Sequence, residues 1–165
     1  MCESVKLILC KPDVLPLLSG NGVDLGAGIH KVRPEALGVD FGSNGINWIG
    51  DVTDLNWFRD NVLDYVFSSH CLEHVTDDRA ALREWIRVLK PGGRLVLYLP
   101  DDAVFDNTEM VKSGEHQHVY TQESLYSLLS SIPEISVASV QQHAGAVPGC
   151  EGQSVYSLLA VCFKR

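Results

Sequence analysis

Short apolar stretches bounded by Gly, Asp or Pro alternate along most of the chain with longer segments of mixed character. "GVDLG" (22–26), "ALGVD" (36–40), "INWIG" (46–50), "LDYVFSS" (63–69) and "RLVLYLP" (94–100) have the length and composition of strands buried on both faces. Between the fourth and fifth, "DDRAALREWIRVLK" (77–90) places Leu82, Trp85, Ile86 and Leu89 at i, i+3, i+4 and i+7, which is one helical face. Asp77 and Asp78 suit the N-terminus of this helix and Lys90 its C-terminus, and "PGG" stops it. A second helix is expected in "TQESLYSLLSSI", with Thr121 as N-cap and Leu125, Leu128, Leu129 and Ile132 on one side. Beyond it, "EISVASVQQH" and "SVYSLLAVCFKR" read as two strands joined by "AGAVPGCEG", a helix-free connection that suits an antiparallel pair. The pattern predicts five parallel strands with helical crossovers, then a β-hairpin. That is a doubly wound α/β sheet, mostly parallel with a reversed C-terminal strand.

Length and charge narrow this picture. The 165 residues fit a single domain spanning 1–165. With a formal charge of −8 and only 13 basic residues, scattered singly, the chain lacks the cationic clusters that bind nucleic acid or anionic membranes. Its longest apolar runs, such as "LVLYLP" (95–100) and "LLAVCF" (158–163), are far shorter than the roughly 20 residues of a membrane span. The N-terminus has neither the basic start nor the cleavage site of a secretory signal. Five cysteines, odd in number and never at C-x-x-C spacing, suit a reducing compartment. A cytoplasmic protein without nucleic-acid or membrane partners is expected.

The candidate chemistry lies at strand ends. Gly26 and Gly28 follow the first strand directly, where glycine permits a sharp turn and close approach of a ligand. A dinucleotide fingerprint would need a third glycine at 31, but Lys31 stands there, and its acid would lie about 20 residues on. Asp40 ends the second strand, where it can accept from both hydroxyls of a ribose. Asp51 follows the third, placed to accept from the exocyclic amine of adenine, with Val52 beside it to pack on the ring. Ligands of open α/β sheets sit beyond the carboxyl ends of the strands, so Asp24, Asp40, Asp51 and the "SSH" after strand four are expected to share one crevice.

"VDLGAG", "GVD", "GDVTDL", "LDYVFSSHCLEHVTD" and "LREWIRVLKPGGRLVLYLP", in this order and spacing, resemble class I S-adenosylmethionine-dependent methyltransferases of the small-molecule type-11 group. "HQHVYTQESLYSLL" is similar to that group's segment before its last helix. The resemblance implies a Rossmann-like sheet with S-adenosylmethionine as cofactor. It puts the methionine part over Gly26, Ala27 and Gly28, with Asp24 at its amino group, the ribose on Asp40 and the adenine amine on Asp51 beside Val52. Ser69 and His70 would then line the crevice between sulfonium and acceptor. A sulfonium cofactor has no pyrophosphate, which accounts for Lys31.

The chain departs from that family in its first crossover. Eleven residues, Ile29 to Val39, separate Gly28 from Asp40, and Pro34 interrupts them, so a reduced first helix of one or two turns is expected. Only about 20 residues, containing Pro12 and Pro16, precede the first strand, where the family usually places a lidding helix. Both features predict an open site with a thinly covered apolar flank. A homodimer or a partner protein would complete it.

Methyl transfer from a sulfonium draws mainly on alignment, and a base is needed only if the acceptor must lose a proton. His70 is the candidate catalytic residue, its other reading being a polar loop residue beside the site. His74, in "LEHV", reads as structural, bonded to backbone. His116 and His118 form an H-x-H pair whose metal reading lacks a third ligand, so no metal site is expected and a substrate-facing role for one of them is preferred. Asp101, Asp102 and Asp106 read either as a solvated acidic loop or as ligands for a cationic acceptor or a divalent ion. Cys71 has no basic partner in sequence to make it a nucleophile. The expected function is methyl transfer from S-adenosylmethionine to an oxygen or nitrogen of a small-molecule acceptor. The alternatives are a cofactor-binding regulatory protein without turnover and a nucleotide-dependent oxidoreductase.

Overall fold

The computed structural model describes residues 3–42 and 48–165. Its strands are β1 (Gly22–Leu25), β2 (Leu37–Asp40), β3 (Trp48–Ile49), β4 (Leu63–Ser69), β5 (Leu89–Pro100), β6 (Ile135–Ala146) and β7 (Ser154–Lys164). They form one sheet in the order β3-β2-β1-β4-β5-β7-β6. β1 to β5 pair in parallel, and β7 runs antiparallel to both of its neighbours, so it is the reversed C-terminal strand. Strand order reverses between β1 and β4, which is where an open α/β sheet presents its crevice.

Five strand ranges agree with the apolar pattern to within about three residues; the third and fifth differ for separate reasons. Ile46 and Asn47 of "INWIG" lie outside the described residues, and Trp48–Ile49 is the part seen as β3. β5 begins at Leu89, not Arg94, because the chain turns extended there and Leu89 pairs with Leu63. The "PGG" that was expected to stop the helix therefore lies inside the strand, and the helix α2 (Asp78–Val88) ends two residues before Lys90. Asp77 caps α2 by accepting from the Ala80 N–H, and its Leu82, Trp85 and Ile86 face is buried. Thr121 and Ser124 form a reciprocal capping box at α4 (Gln122–Ser130), whose Leu125 and Leu129 are buried.

The expectation of helical crossovers is corrected. Of the connections among β1 to β5, only that between β4 and β5 carries an α-helix among the described residues. The β1–β2 connection is made of turns alone. Lys31 takes over part of a helix's work there, its ammonium donating to the carbonyls of Pro34 (2.7 Å) and Ala36 (2.9 Å). The β3–β4 connection is gathered by Arg87 of α2, which donates to the carbonyls of Leu55 (3.0 Å) and Phe58 (3.0 Å) and to Asp60 (2.6 Å).

Two apolar clusters flank the sheet. One packs α2 and α4 against Val23, Leu25, Val66, Leu95 and Leu97. On the other face, Tyr65, Phe67 and Tyr98 fill the volume that crossover helices would otherwise occupy. They are covered by an N-terminal unit that the prolines had argued against: α1 (Glu3–Cys10) and a 3-10 turn over Pro12–Leu18, which seat Leu7, Val14 and Leu18. Pro12 begins the turn, where a missing N–H costs nothing, so the prolines shape this cover and do not prevent it. α3 (Thr108–Ser113) is a short surface helix.

A side chain at Gly22 would fall inside the Tyr65 ring, whose place is fixed by the sheet on one side and the N-terminal cover on the other. Gly22→Ala is expected to destabilise the fold by about 1–3 kcal/mol, the usual cost of overpacking. Urea unfolding measures this.

Candidate active site

The chain leaves β1 at Leu25 and turns at Gly26, whose N–H donates to Val39 O (2.9 Å); Ala27 N–H follows to the same carbonyl (3.3 Å). Gly26 has φ +74°, and a Cβ there would meet Cys71, so glycine is required. Gly28 has φ +55° and faces open space. Its N–H donates to Asp40 Oδ2 (2.8 Å), which ties the end of the turn to the end of β2. The strip from Gly26 to Gly28 is therefore a fixed backbone edge, packed on Cys71 at Gly26 and open at Gly28.

Two cavities meet along this strip. The larger, about 590 Å³, is lined by Asp40, Asp51, Val52, Thr53, Cys71 and residues 74–77. The smaller, about 280 Å³, is lined by Glu3, Ser4, Asp24, Ala27, Gly28 and Ser69. Gly26 and His70 border both. The residues expected in one crevice thus divide between two lobes. α1 lids the smaller lobe with Glu3 and Ser4, which corrects the expectation of an uncovered N-terminal side. Nothing in the apolar pattern marked these two residues.

Each acid has its own environment. Asp24 is almost fully buried and accepts from Val32 N–H (2.6 Å); burial dominates and raises its carboxyl to about 7. Asp40 accepts from Gly28 and from Phe41 N–H (2.7 Å) and faces the larger lobe. Asp51 accepts from the Thr53 N–H (2.8 Å) and hydroxyl (2.7 Å), which fixes its rotamer at the same lobe. Val52 lies between core and cavity, and its carbonyl accepts from Trp85 Nε1 (2.8 Å), so α2 positions it. Ser69 offers a buried hydroxyl that has no partner, at the wall of the smaller lobe.

His70 has φ +48°, and its N–H donates to Tyr98 O (2.8 Å). Its Nε2 is 2.9 Å from the Ser157 hydroxyl of β7, and Glu3 Oε2 lies 3.9 Å away. Burial first, then the positive charge of Lys6, lowers the imidazole to about 3, so the ring is neutral. Cys71 is pushed up to about 12 by burial and is inert as a nucleophile, as the sequence suggested. Ser157, far along the chain, had no sequence signal.

The remaining candidates lie outside the lobes, except His74. Asp101 is buried and accepts from Ala103 N–H and Gln142 Nε2, Asp102 accepts from Asn107 Nδ2, and Asp106 from Thr108 N–H. These bonds hold the loop after β5, and neither cavity includes any of the three. His118 approaches Thr76 O and Asp78 while His116 turns to Asn107, so the H-x-H pair does not converge. His74 does bond backbone, through Nδ1 to Glu115 O (2.7 Å).

A sheet of this order, with a glycine strip at the switch point and acids at successive strand ends, defines the class I methyltransferase fold. Residues 22–97 match the model of the methyltransferase domain family known as Methyltransf_11. S-adenosylmethionine is the co-substrate that this family and fold imply. Phosphoethanolamine N-methyltransferase 2 of Caenorhabditis elegans is 25% identical over 73% of this chain and 28% of its own length. Demethylmenaquinone methyltransferase of Mycolicibacterium paratuberculosis is 49% identical over 46% of this chain and 40% of its own. The chain thus spans less than half the length of these curated relatives. Among solved structures, a complex between the Haloferax volcanii Trm112 methyltransferase activator and its methyltransferase superposes with a TM-score of 0.74. That match has 18% identity and covers 98% of this chain and 91% of the other. A SAM-dependent methyltransferase of Thermotoga maritima gives 0.71 and 18%, over 98% and 92%.

The residues present fit such a molecule. The glycine strip is open at Gly28, where no atom stands within reach of a Cβ, and the orphaned Ser69 hydroxyl and the Asp40 and Asp51 carboxylates supply polar groups on both sides of it.

Asp24 carries a pH prediction. A carboxyl raised from 3.8 to about 7 contributes stability that is fully present below its unfolded pKa and is lost as pH rises through about 7. Thermal melts are expected to fall between roughly pH 4 and 7, and Asp24→Asn is expected to flatten that slope. An equal slope in the variant would remove Asp24 as its source.

Proposed function

We propose that the chain transfers the methyl group of S-adenosylmethionine to an oxygen or nitrogen of a small-molecule acceptor. The observation that carries this reading is the meeting of two lobes at Gly26 and His70, one lined by the acids of β2 and β3 and the other by Asp24 and Ser69. When bound, the co-substrate would supply a methyl group on a sulfonium, whose sulfur would depart as a neutral thioether without acid assistance.

In this reading Asp40 accepts from the ribose hydroxyls, Asp51 from the adenine amine with Val52 against the ring, and Gly26, Ala27 and Gly28 lie along the methionine part. Asp24 faces its amino group and Ser69 donates or accepts beside it. Holding the reactants in line provides most of the acceleration. His70, neutral and tethered to Ser157, orients the acceptor through a hydrogen bond and takes a proton only from an acceptor that has become acidic in the transition state. The curated relatives named above include an N-methyltransferase, and others matched carry the name C-methyltransferase, so the acceptor atom rests on the polar character of this site.

The exposed flank favours a protein partner or a second copy. Phe41 and Ile49 are 72% and 71% exposed, beside Trp48, which stacks on Trp57 at 5.5 Å. Association through this flank is expected to appear in light scattering of the purified protein, and a strict monomer at high concentration would leave only a different chain as occupant.

Calorimetric titration with S-adenosylmethionine, S-adenosylhomocysteine and NAD tests the cofactor assignment. Binding of the first two but not NAD is expected, with Asp40→Ala weakening it about tenfold or more, the scale of a lost charge-assisted hydrogen bond. Methylated product on any member of a hydroxyl and amine panel supports transfer. Binding without product on every acceptor favours a regulatory protein instead, and unchanged affinity in Asp40→Ala would refute the ribose assignment.

A further inference from the structure

Beside the larger lobe, the 3-10 turn Leu72–His74 and the loop before α4 bring Glu73, His74 and His116 together. One ligand atom from each side chain lies within 4.8 Å of the others, and Glu73 Oε1 is 3.8 Å from His74 Nε2. Glu73 is 1% exposed, and neither carboxylate oxygen has a hydrogen-bond partner. His70 Nδ1 also faces this carboxylate, 3.7 Å from Glu73 Oε1. A buried carboxyl without partners is costly, and such a group calls for an unplaced cation or proton.

The two imidazoles are prepared for a cation. His74 Nδ1 faces the Glu115 carbonyl, so it carries the hydrogen and donates, which leaves a lone pair on Nε2. His116 Nδ1 faces Asn107 Oδ1 at 2.8 Å, and Asn107 Nδ2 is turned to Asp102 Oδ1, so the amide oxygen is the acceptor here too. His116 Nε2 therefore also keeps its lone pair. Metal-bound histidines are oriented in this way, by donating the other ring N–H to a carbonyl or carboxylate. The loop that delivers His116 is itself pinned, since Gln117 and His118 N–H donate to Glu73 O (2.7 and 3.1 Å).

We propose that Glu73, His74 and His116 bind a divalent transition-metal ion of the zinc class. Two nitrogens and one carboxylate oxygen suit such an ion, and ligands about 2.0–2.2 Å from it lie roughly 3.4 Å apart, so the cluster closes by about an ångström around it. Three protein ligands leave a coordination position free. His74 lines the larger lobe, so the ion adjoins that space. The site stands independently of the methyl-transfer reading.

Co²⁺ and Zn²⁺ titrations of the chelator-treated protein test it. One ion per chain is expected, with the visible absorption of Co²⁺ and no thiolate charge-transfer band. Glu73→Gln and His116→Ala are each expected to weaken binding at least tenfold, while His118→Ala leaves it unchanged. No stoichiometric binding, a thiolate band, or equal affinity in both ligand variants would overturn the site. X-ray absorption of the zinc-loaded wild type needs no variant to fold: scattering from two imidazoles supports the site, and its absence rejects it.

Discussion

The buried hydrogen bond from the Val32 N–H to Asp24 Oδ2, at 2.6 Å, anchors a parallel β1–β2 connection that has no helix to stiffen it. Parallel neighbours are ordinarily joined through a packed helix, whose own hydrogen bonds satisfy the connecting backbone. Here the backbone groups are satisfied piecemeal. Asp24 takes Val32, Asp40 takes Gly28, Val39 O takes Gly26 and Ala27, and Lys31 caps Pro34 and Ala36. Because Asp24 and Asp40 stand at the ends of β1 and β2, two of the side chains that brace the turn also line the lobes.

Removing a helix from one face of a sheet exposes apolar surface unless something replaces it. Tyr65, Phe67 and Tyr98 supply bulk from the sheet, and the N-terminal helix and 3-10 turn supply cover. That cover brings Glu3 and Ser4 to the smaller lobe, so one structural substitution both repairs the core and narrows the site. The same economy ends at β3, where Phe41 and Ile49 stay exposed. The flank is thinly covered at that edge and well covered near β4.

Much of the site was legible because parallel strands end on one edge of the sheet. Gly26, Gly28, Asp40 and Asp51 could be assigned to that edge from their positions after apolar runs, and they line its cavities. The capped helices were legible for a similar reason, since Asp77 and Thr121 act on N–H groups three residues away. The N-terminal cover was misread because Pro12 and Pro16 argue against an α-helix but not against a 3-10 turn. The acids after β5 were equally ambiguous, because only the fold shows that Gln142 and Asn107 occupy them.

Local spacing and apolar pattern, then, determine the strands, the parallel run with a reversed strand near the end, the glycine turn and the acids that border it. Tertiary structure alone decides which residues stand in for the missing helices, that His70 is neutral and tied to Ser157, and that His116 leaves its neighbour His118 to meet His74 and Glu73. The physical reason is that burial and convergence are properties of distant segments brought together. Desolvation sets the charge of a histidine, and a carboxylate finds or lacks a partner, only after the sheet has chosen its neighbours.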